Sequence, residues 1–296
     1  MHTTPAPLTI RGKEFRWGSR TYVMGIVNVS PESFSGDGLT DAGAAVRQGL
    51  RFVEEGADIL DVGGQSTRPR TTAQREAQRF GGPDDAPDEL SEQEEMDRVL
   101  PVIQGLAAQV DVPVSIDSYK SGVVRAALQA GASIVNDVWG LKKDPQVAVA
   151  AAEAGAPLIL MHDQPTTRYG DLVPDVIASL RASLDRAQQA GVAWEHLIVD
   201  PGFGFGKTPA HNLELLRRLH EFRALGRPIL LGTSRKSTIG LVLGLPPDQR
   251  VEGTAATVAL GIQGGADIIR VHDVQAMVRV ARMTDAVVRG TPPHLL

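Results

Sequence analysis

Polar residues stand at the C-terminal end of nearly every short apolar run in this chain. Asn28 closes the first run, and Asp61 leads the second into Gly63-Gly64-Gln65-Ser66-Thr67-Arg68-Pro69. Asp117 closes the third, Asn136-Asp137 the fourth, Met161-His162 the fifth and Asp200 the sixth. Gly232-Thr233-Ser234-Arg235-Lys236-Ser237 follows the seventh, and Arg270-Val271-His272-Asp273 ends the eighth. One such residue is usually a loop start or a cap, whereas several converging on one rim form a candidate site. Asp117, Asn136 and Asp200 suit a flat heterocycle carrying amino and ring N–H donors, because a carboxylate accepts two parallel hydrogen bonds. Arg68, Lys236, Arg270 and His272 supply positive charge for a phosphate or diphosphate. Arg270 and His272 are two apart on a strand and so share a face. Asn28 offers Mg²⁺ a neutral oxygen, and that ion commonly shares its shell with water and substrate phosphates.

These residues need a scaffold that brings strand ends together. Eight runs read as strands, at 21–27, 58–63, 113–117, 132–136, 157–161, 196–200, 228–233 and 267–272. Gly56, Gly131, Gly155, Gly191, Gly226 and Gly265 each stand between a helical stretch and the next run, where glycine in the left-handed conformation closes a helix. Short β-branched runs after such a stop suit strands buried on both faces. Val46, Leu50 and Val53, and Val173, Ile177, Leu180 and Leu184, repeat at helical spacing. Eight alternating β and α units predict an α/β fold, a (β/α)8 barrel of parallel strands whose site lies at the strands' C-terminal ends. The whole chain, 1–296, reads as one barrel domain. A polar, Pro- and Gly-rich stretch at about 70–90 interrupts it as a long loop, ahead of a helix that Ser91 and Glu94 start with a capping box.

Several chemistries are set aside. The chain has no cysteine, which excludes disulfides, thiolate nucleophiles and cysteine-ligated metals. Pro201-Gly202-Phe203-Gly204-Phe205-Gly206-Lys207-Thr208 imitates a phosphate-binding loop, but proline stands where the first glycine must be. It reads instead as a glycine-rich loop that lets backbone approach a ligand, with Phe205 as an aromatic wall. Asp61 reads as an orienting acceptor and His162 as a packed or supporting histidine rather than a catalyst. The net charge of −5 argues against nucleic acid as a partner. No apolar run reaches membrane length, and the N-terminus lacks the apolar core of a secretory signal. The expectation is a cytoplasmic protein.

Taken together, the motifs resemble dihydropteroate synthase, the pterin-binding barrel of folate biosynthesis. The matching blocks are MGIVNVSPESFSGDG from Met24, GADILDVGGQSTRP from Gly56, PVSIDSYKSGVVRAALQAGASIVNDVWG from Pro113, IVDPGFGFGKTPAHNLELL from Ile198, PILLGTSRKSTIG from Pro228 and GADIIRVHDV ending at Val274. They span almost the whole chain in order. The resemblance implies that (7,8-dihydropterin-6-yl)methyl diphosphate loses diphosphate to 4-aminobenzoate. It implies that Asp117, Asn136, Asp200 and Lys236 line a pterin pocket, with Met161, Phe205 and Gly232 beside it. Thr67, Arg68, Arg270 and His272 would meet the diphosphate or the loops over it, and Asn28 would hold Mg²⁺ with it. Phe34, Ser66, Pro69 and Ser237 would form the aminobenzoate slot, with Asp37 on the first loop. A homodimer is implied as well. The chain departs from the family pattern in Gln65, where Glu is usual, in Ser118, where Thr is common, in Asp163 after His162 and in the insertion after loop two.

Three other readings share parts of this pattern. A pterin barrel that moves a methyl group from methyltetrahydrofolate would not need Arg270, His272 or the Ser-Arg-Lys-Ser loop. A non-catalytic paralogue would bind pterin without turnover. An aldolase would use Lys236 as a Schiff base.

Overall fold

The structure is a computed structural model and describes residues 4–29, 41–65 and 89–290. It opens with a hairpin, β1 (Leu8–Ile10) and β2 (Lys13–Phe15), turned through Arg11 and Gly12. Both turn residues have positive φ, 50° and 75°, as a two-residue turn that matches strand twist demands. β3 (Tyr22–Asn28), α1 (Ala42–Glu54) and β4 (Ile59–Gly63) follow, then α2 (Glu92–Ala107), β5 (Val114–Asp117) and α3 (Ser121–Gln129). The alternation continues through β6 (Ile134–Asp137), α4 (Gln146–Glu153), β7 (Leu158–Met161), α5 (Leu172–Gln189), β8 (Leu197–Asp200) and α6 (Pro209–Arg217). β9 (Leu230–Leu231), α7 (Ser237–Leu243), α8 (Val251–Gly264), β10 (Ile268–Val271) and α9 (Val274–Val288) complete it.

The eight strands from β3 onward are parallel in the order β8-β7-β6-β5-β4-β3-β10-β9. A parallel bridge from Val199 to Ile229 joins the two ends and closes the barrel. This is the (β/α)8 barrel that the eight runs predict, and each run holds a strand. Only the seventh is much shorter than expected, because regular pairing ends at Leu231 and Gly232 already leaves the sheet. The six helix-closing glycines all have positive φ, between 61° and 110°.

Strand alternation divides the core into two layers. Leu60, Val62, Ile116, Val135, Leu160, Val199, Leu231 and Ile269 point outward, where the helices cover them. Tyr22, Met24, Ile59, Ile134, Ile159, Ile198, Leu230 and Ile268 point inward and fill the lower half of the barrel. Leu8, Ile10, Phe15 and Trp17 of the hairpin segment join that inner layer and plug its floor. The Phe15 and Tyr22 rings lie 4.7 Å apart, and the Trp17 ring meets Tyr22 edge-on at 5.6 Å.

The helical periodicity needs two corrections. In α1 the buried face is Ala45, Gly49 and Phe52, while Val46, Leu50 and Val53 are only partly buried beside it. Small residues let α1 approach α2 and the barrel, since a Cβ on Gly49 would collide with Leu106 and crowd Leu60. In α5 Val173, Leu180 and Leu184 are buried as expected, but Val176 takes the place expected for Ile177. Ser91 and Glu94 form the predicted capping box on α2.

Candidate functional site

Two residues further up, the inward positions of six strands change character. Ile59 gives way to Asp61, Ile134 to Asn136, Ile159 to Met161, Ile198 to Asp200, Leu230 to Gly232 and Ile268 to Arg270. Asp117 stands at the same height on β5, two residues after Ser115. The period of two that packs an apolar floor therefore lines the upper half with charge. Neighbouring strands set the pairs: Asp117 is in register with Asn136 and with Gly63, and Met161 with Asp200.

Asp61 is the hub of the first cluster. Its carboxylate is fully buried and its Oδ2 accepts from Arg270 Nε at 2.6 Å and from Asn136 Nδ2 at 3.1 Å. Arg270 also donates to Asp117 Oδ2 at 2.7 Å. Because Asn136 spends an amide hydrogen on Asp61, its amide orientation is fixed. Burial, only partly offset by Arg270, raises the Asp117 carboxyl from 3.8 to about 7. Asp61 Oδ1, Asp117 Oδ1 and Ser115 Oγ are buried without a hydrogen-bond partner among the described residues. Two buried carboxylate oxygens without a partner among the described residues suit N–H donors of a bound ligand.

The second cluster joins β8 to β9. Asp200 accepts from the Gly202 amide at 2.7 Å, and burial raises its pKa. Lys236 donates to the Phe203 carbonyl and lies 4.3 Å from the centre of the Phe205 ring. Burial lowers Lys236 to about 8, with the opposing pull of Asp200 next in size. Lys236 is therefore no surface lysine. Gly202, Gly204 and Gly206 all have positive φ. A Cβ on Gly202 would overlap the His162 carbonyl oxygen, and one on Gly206 the Gln164 carbonyl oxygen. The glycines thus let this loop press against the loop after β7, and Phe205 faces Lys236.

A third cluster fixes the loops after β9 and β10. His272 is buried with Nδ1 3.0 Å from Ser234 Oγ. Arg235 takes φ 55° and forms a two-point pair with Asp273, at 3.0 and 2.6 Å. Fully buried Arg250 donates to the Arg235 carbonyl at 2.8 Å and to the Leu245 carbonyl at 3.0 Å. Ser237 is the half-buried first residue of α7, directly after Lys236. Asn28 is half-buried at the end of β3, in register with Gly63. Gly232 sits beside Arg270, and a Cβ on it would make only one ordinary contact, with Arg270 Cβ at 3.8 Å. Phe34, Asp37, Ser66, Thr67, Arg68 and Pro69 lie outside the described residues. Gln65, just before that stretch, accepts from Lys120 Nζ at 3.1 Å, and the same ammonium pairs with buried Glu95 at 2.8 Å.

Sequence reasoning missed Lys207, Asn212, Arg235 and Arg250 as organisers. Asn212 accepts from the Gly204 amide at 2.8 Å and donates to Thr238 at 2.9 Å, tying β8's loop to α7. Its only signal is its place near the start of a helix that follows the glycine-rich loop. For Arg250 no local signal exists, since nothing near it in sequence predicts a fully buried arginine.

A closed barrel with carboxylates, an amide and cations ringing its upper interior defines a class, the small-molecule enzymes that work at the C-terminal ends of barrel strands. The chain belongs to the pterin binding enzyme family, whose pattern matches residues 24–272. Over 295 residues it is 45% identical to the dihydropteroate synthase of Bacillus subtilis, covering 99% of this chain and 95% of that one. The dihydropteroate synthase of Clostridium difficile, solved in the presence of pteroic acid, superposes with a TM-score of 0.84 at 45% identity, covering 93% of this chain and 99% of that one. The Xanthomonas albilineans enzyme, solved with 4-aminobenzoic acid, gives 0.84 at 41% identity over 96% and 98%. Within the family, this chain falls among the dihydropteroate synthases, which are transferases.

Proposed function

We propose that the chain joins (7,8-dihydropterin-6-yl)methyl diphosphate to 4-aminobenzoate, releasing diphosphate and forming 7,8-dihydropteroate. The observation that carries this reading is the pair of orphaned acceptors, Asp61 Oδ1 and Asp117 Oδ1, set beside oriented Asn136 and Asp200. A pterin ring offers amino and ring N–H donors along one edge, and these would satisfy the acceptors.

Lys236 and Arg270 counter the negative charge of the substrate and of the departing diphosphate. The methylene C–O bond breaks with its electron pair leaving on diphosphate. The carboxylates of Asp117 and Asp200 stabilise the cation left on the pterin. The arylamine nitrogen then forms the C–N bond and loses a proton. No protein nucleophile is used, so the Schiff-base reading gains no support from Lys236, whose ammonium donates to a backbone carbonyl. His272, held by Ser234, and Arg235, held by Asp273, order the loops on the diphosphate side.

For Mg²⁺ the donor set fits a weakly held ion. No group of three or more His, Asp or Glu able to hold a metal occurs among the described residues. Asn28 would supply one neutral oxygen and the substrate's diphosphate most of the rest. When bound, the ion neutralises charge on the leaving group. One barrel domain, a cytoplasmic location and a homodimer belong to the same proposal. The first agrees with strands that run from Tyr22 to Val271 in one closed sheet, the second with the absence of cysteine. The homodimer is supported by exposed Leu260 on α8 and by Met283 and Val287, one turn apart on α9. Among the described residues no helix is long and apolar enough to cross a membrane.

A steady-state assay with Mg²⁺ and both substrates tests the reaction. Diphosphate and dihydropteroate should form in equal amounts. Diphosphate alone, or neither product, would contradict it.

A further inference from the structure

Lys207 ends the glycine-rich loop, and its ammonium is turned back inside it. The residue is 8% exposed. Nζ lies 2.9 Å from the Gly202 carbonyl oxygen, 3.0 Å from that of Phe205 and 2.9 Å from His162 Nδ1. An ammonium has three donors, and each one here has an acceptor. Burial, reinforced by Lys207 and Lys142, holds the His162 pKa far below its ordinary value, so the ring is neutral and Nδ1 is the acceptor. The same bonds pin both ends of the segment 202–205. Phe203, whose carbonyl accepts from Lys236, and Phe205, whose ring lies against Lys236, are the residues between or at those pins. A methyl group on Gly204 would touch the Lys236 stem. One buried cation thus sets the surface on which the other rests.

We propose that Lys207 is a positioning residue for pterin diphosphate binding, acting through the loop 202–205 to place the Lys236 ammonium beside Asp200. The inference rests on the functional reading given above. The site holds this cation at a cost. Burial lowers Lys207 from 10.5 to about 7 against the pull of Asp200 on β8 and Asp163 after β7, while Lys236 and Lys142 add to the fall. The pull of Asp200 and Asp163 only partly offsets that burial. A hydrophobic side chain of similar length would fill the space but leave the three acceptors without their donor.

Lys207 acts through Lys236, and a double-mutant cycle reads that directly. The full-length chain, Lys207→Met, Lys236→Ala and the double variant are assayed with the dihydropterin-methyl diphosphate, Mg²⁺ and 4-aminobenzoate, and each melting temperature is recorded. Lys207→Met should raise KM for the pterin diphosphate about tenfold, the scale of losing one charged hydrogen-bonded tie. KM for 4-aminobenzoate should change little, while the melting temperature should fall by a few degrees as the buried acceptors lose their donor. Lys207→Arg, which keeps charge and donors, should recover part of the loss. In the Lys236→Ala background the same Met substitution should cost less than about twofold, because the group it places is gone. Full additivity of the two losses would overturn the proposal, as would an unchanged KM in a folded Lys207→Met. If the unmodified chain neither binds nor turns over the pterin diphosphate, the functional reading falls and this inference with it.

Discussion

At the residue scale, the site is organised around buried charges that neutralise one another imperfectly. Arg270 bridges Asp61 and Asp117, and Lys236 sits among Asp200, Arg270 and Asp117. Removing either cation leaves carboxylates facing a diphosphate substrate. Lys236→Ala and Arg270→Ala should each lower kcat/KM by at least about 10²-fold in steady-state kinetics. The imperfect balance also has a thermodynamic sign. Asp117 takes up its proton near 7 in the folded chain and near 3.8 when unfolded. Its protonated form favours the fold, so stability from this group is present below the unfolded pKa and is lost as pH rises through about 7. Asp117→Asn should therefore melt about 2–4 °C above the parent on the alkaline side of that pKa, with the gap closing in acid, while pterin affinity collapses. Thermal melts across pH would show it. The residue types at strand ends were readable because barrel chemistry sits there. Their partners were not. That Asp61 would hold both Asn136 and Arg270 depends on β3 pairing with both β4 and β10, which brings residue 61 to residue 270.

Elements decide where those residues point, and the alternation of two along each strand does most of the work. The eight strands were legible because a parallel strand buried on both faces is a short apolar run, and a left-handed glycine marks its start. The N-terminal hairpin was not. Its strands have three residues each, and Arg11-Gly12 is a weaker turn signal than Asn-Gly or Asp-Gly. The buried face of α1 escaped because Ala45 and Gly49 are small, and hydrophobic spacing favours the larger flank. The glycine-rich loop after β8 was recognised, but its glycines answer to neighbouring backbone. Gly202→Ala would place a methyl on the His162 carbonyl at φ 72°. The loop must then shift, carrying the Phe203 carbonyl away from Lys236. Gly202→Ala should reduce kcat/KM for the pterin diphosphate about tenfold or more and lower the melting temperature, whereas Gly226→Ala, in open space at φ 65°, should cost only about 1 kcal/mol of stability.

For the whole molecule, one closed sheet serves two purposes at different heights. The lower interior is apolar and plugged by the hairpin, and the upper interior carries the charges. Phe15 is nearly fully buried against Trp17 and Tyr22 in that plug. Phe15→Ala should cost about 3–5 kcal/mol in denaturant unfolding, yet leave the substrate KM values close to the parent's while the chain is folded. On the proposed function, the polar upper interior is the pterin pocket. Calorimetric titration with the dihydropterin-methyl diphosphate, on the parent and on Asp200→Ala, tests it most directly. The parent should bind, and a folded Asp200→Ala should not. An Asp200→Ala chain that binds as tightly as the parent would contradict it.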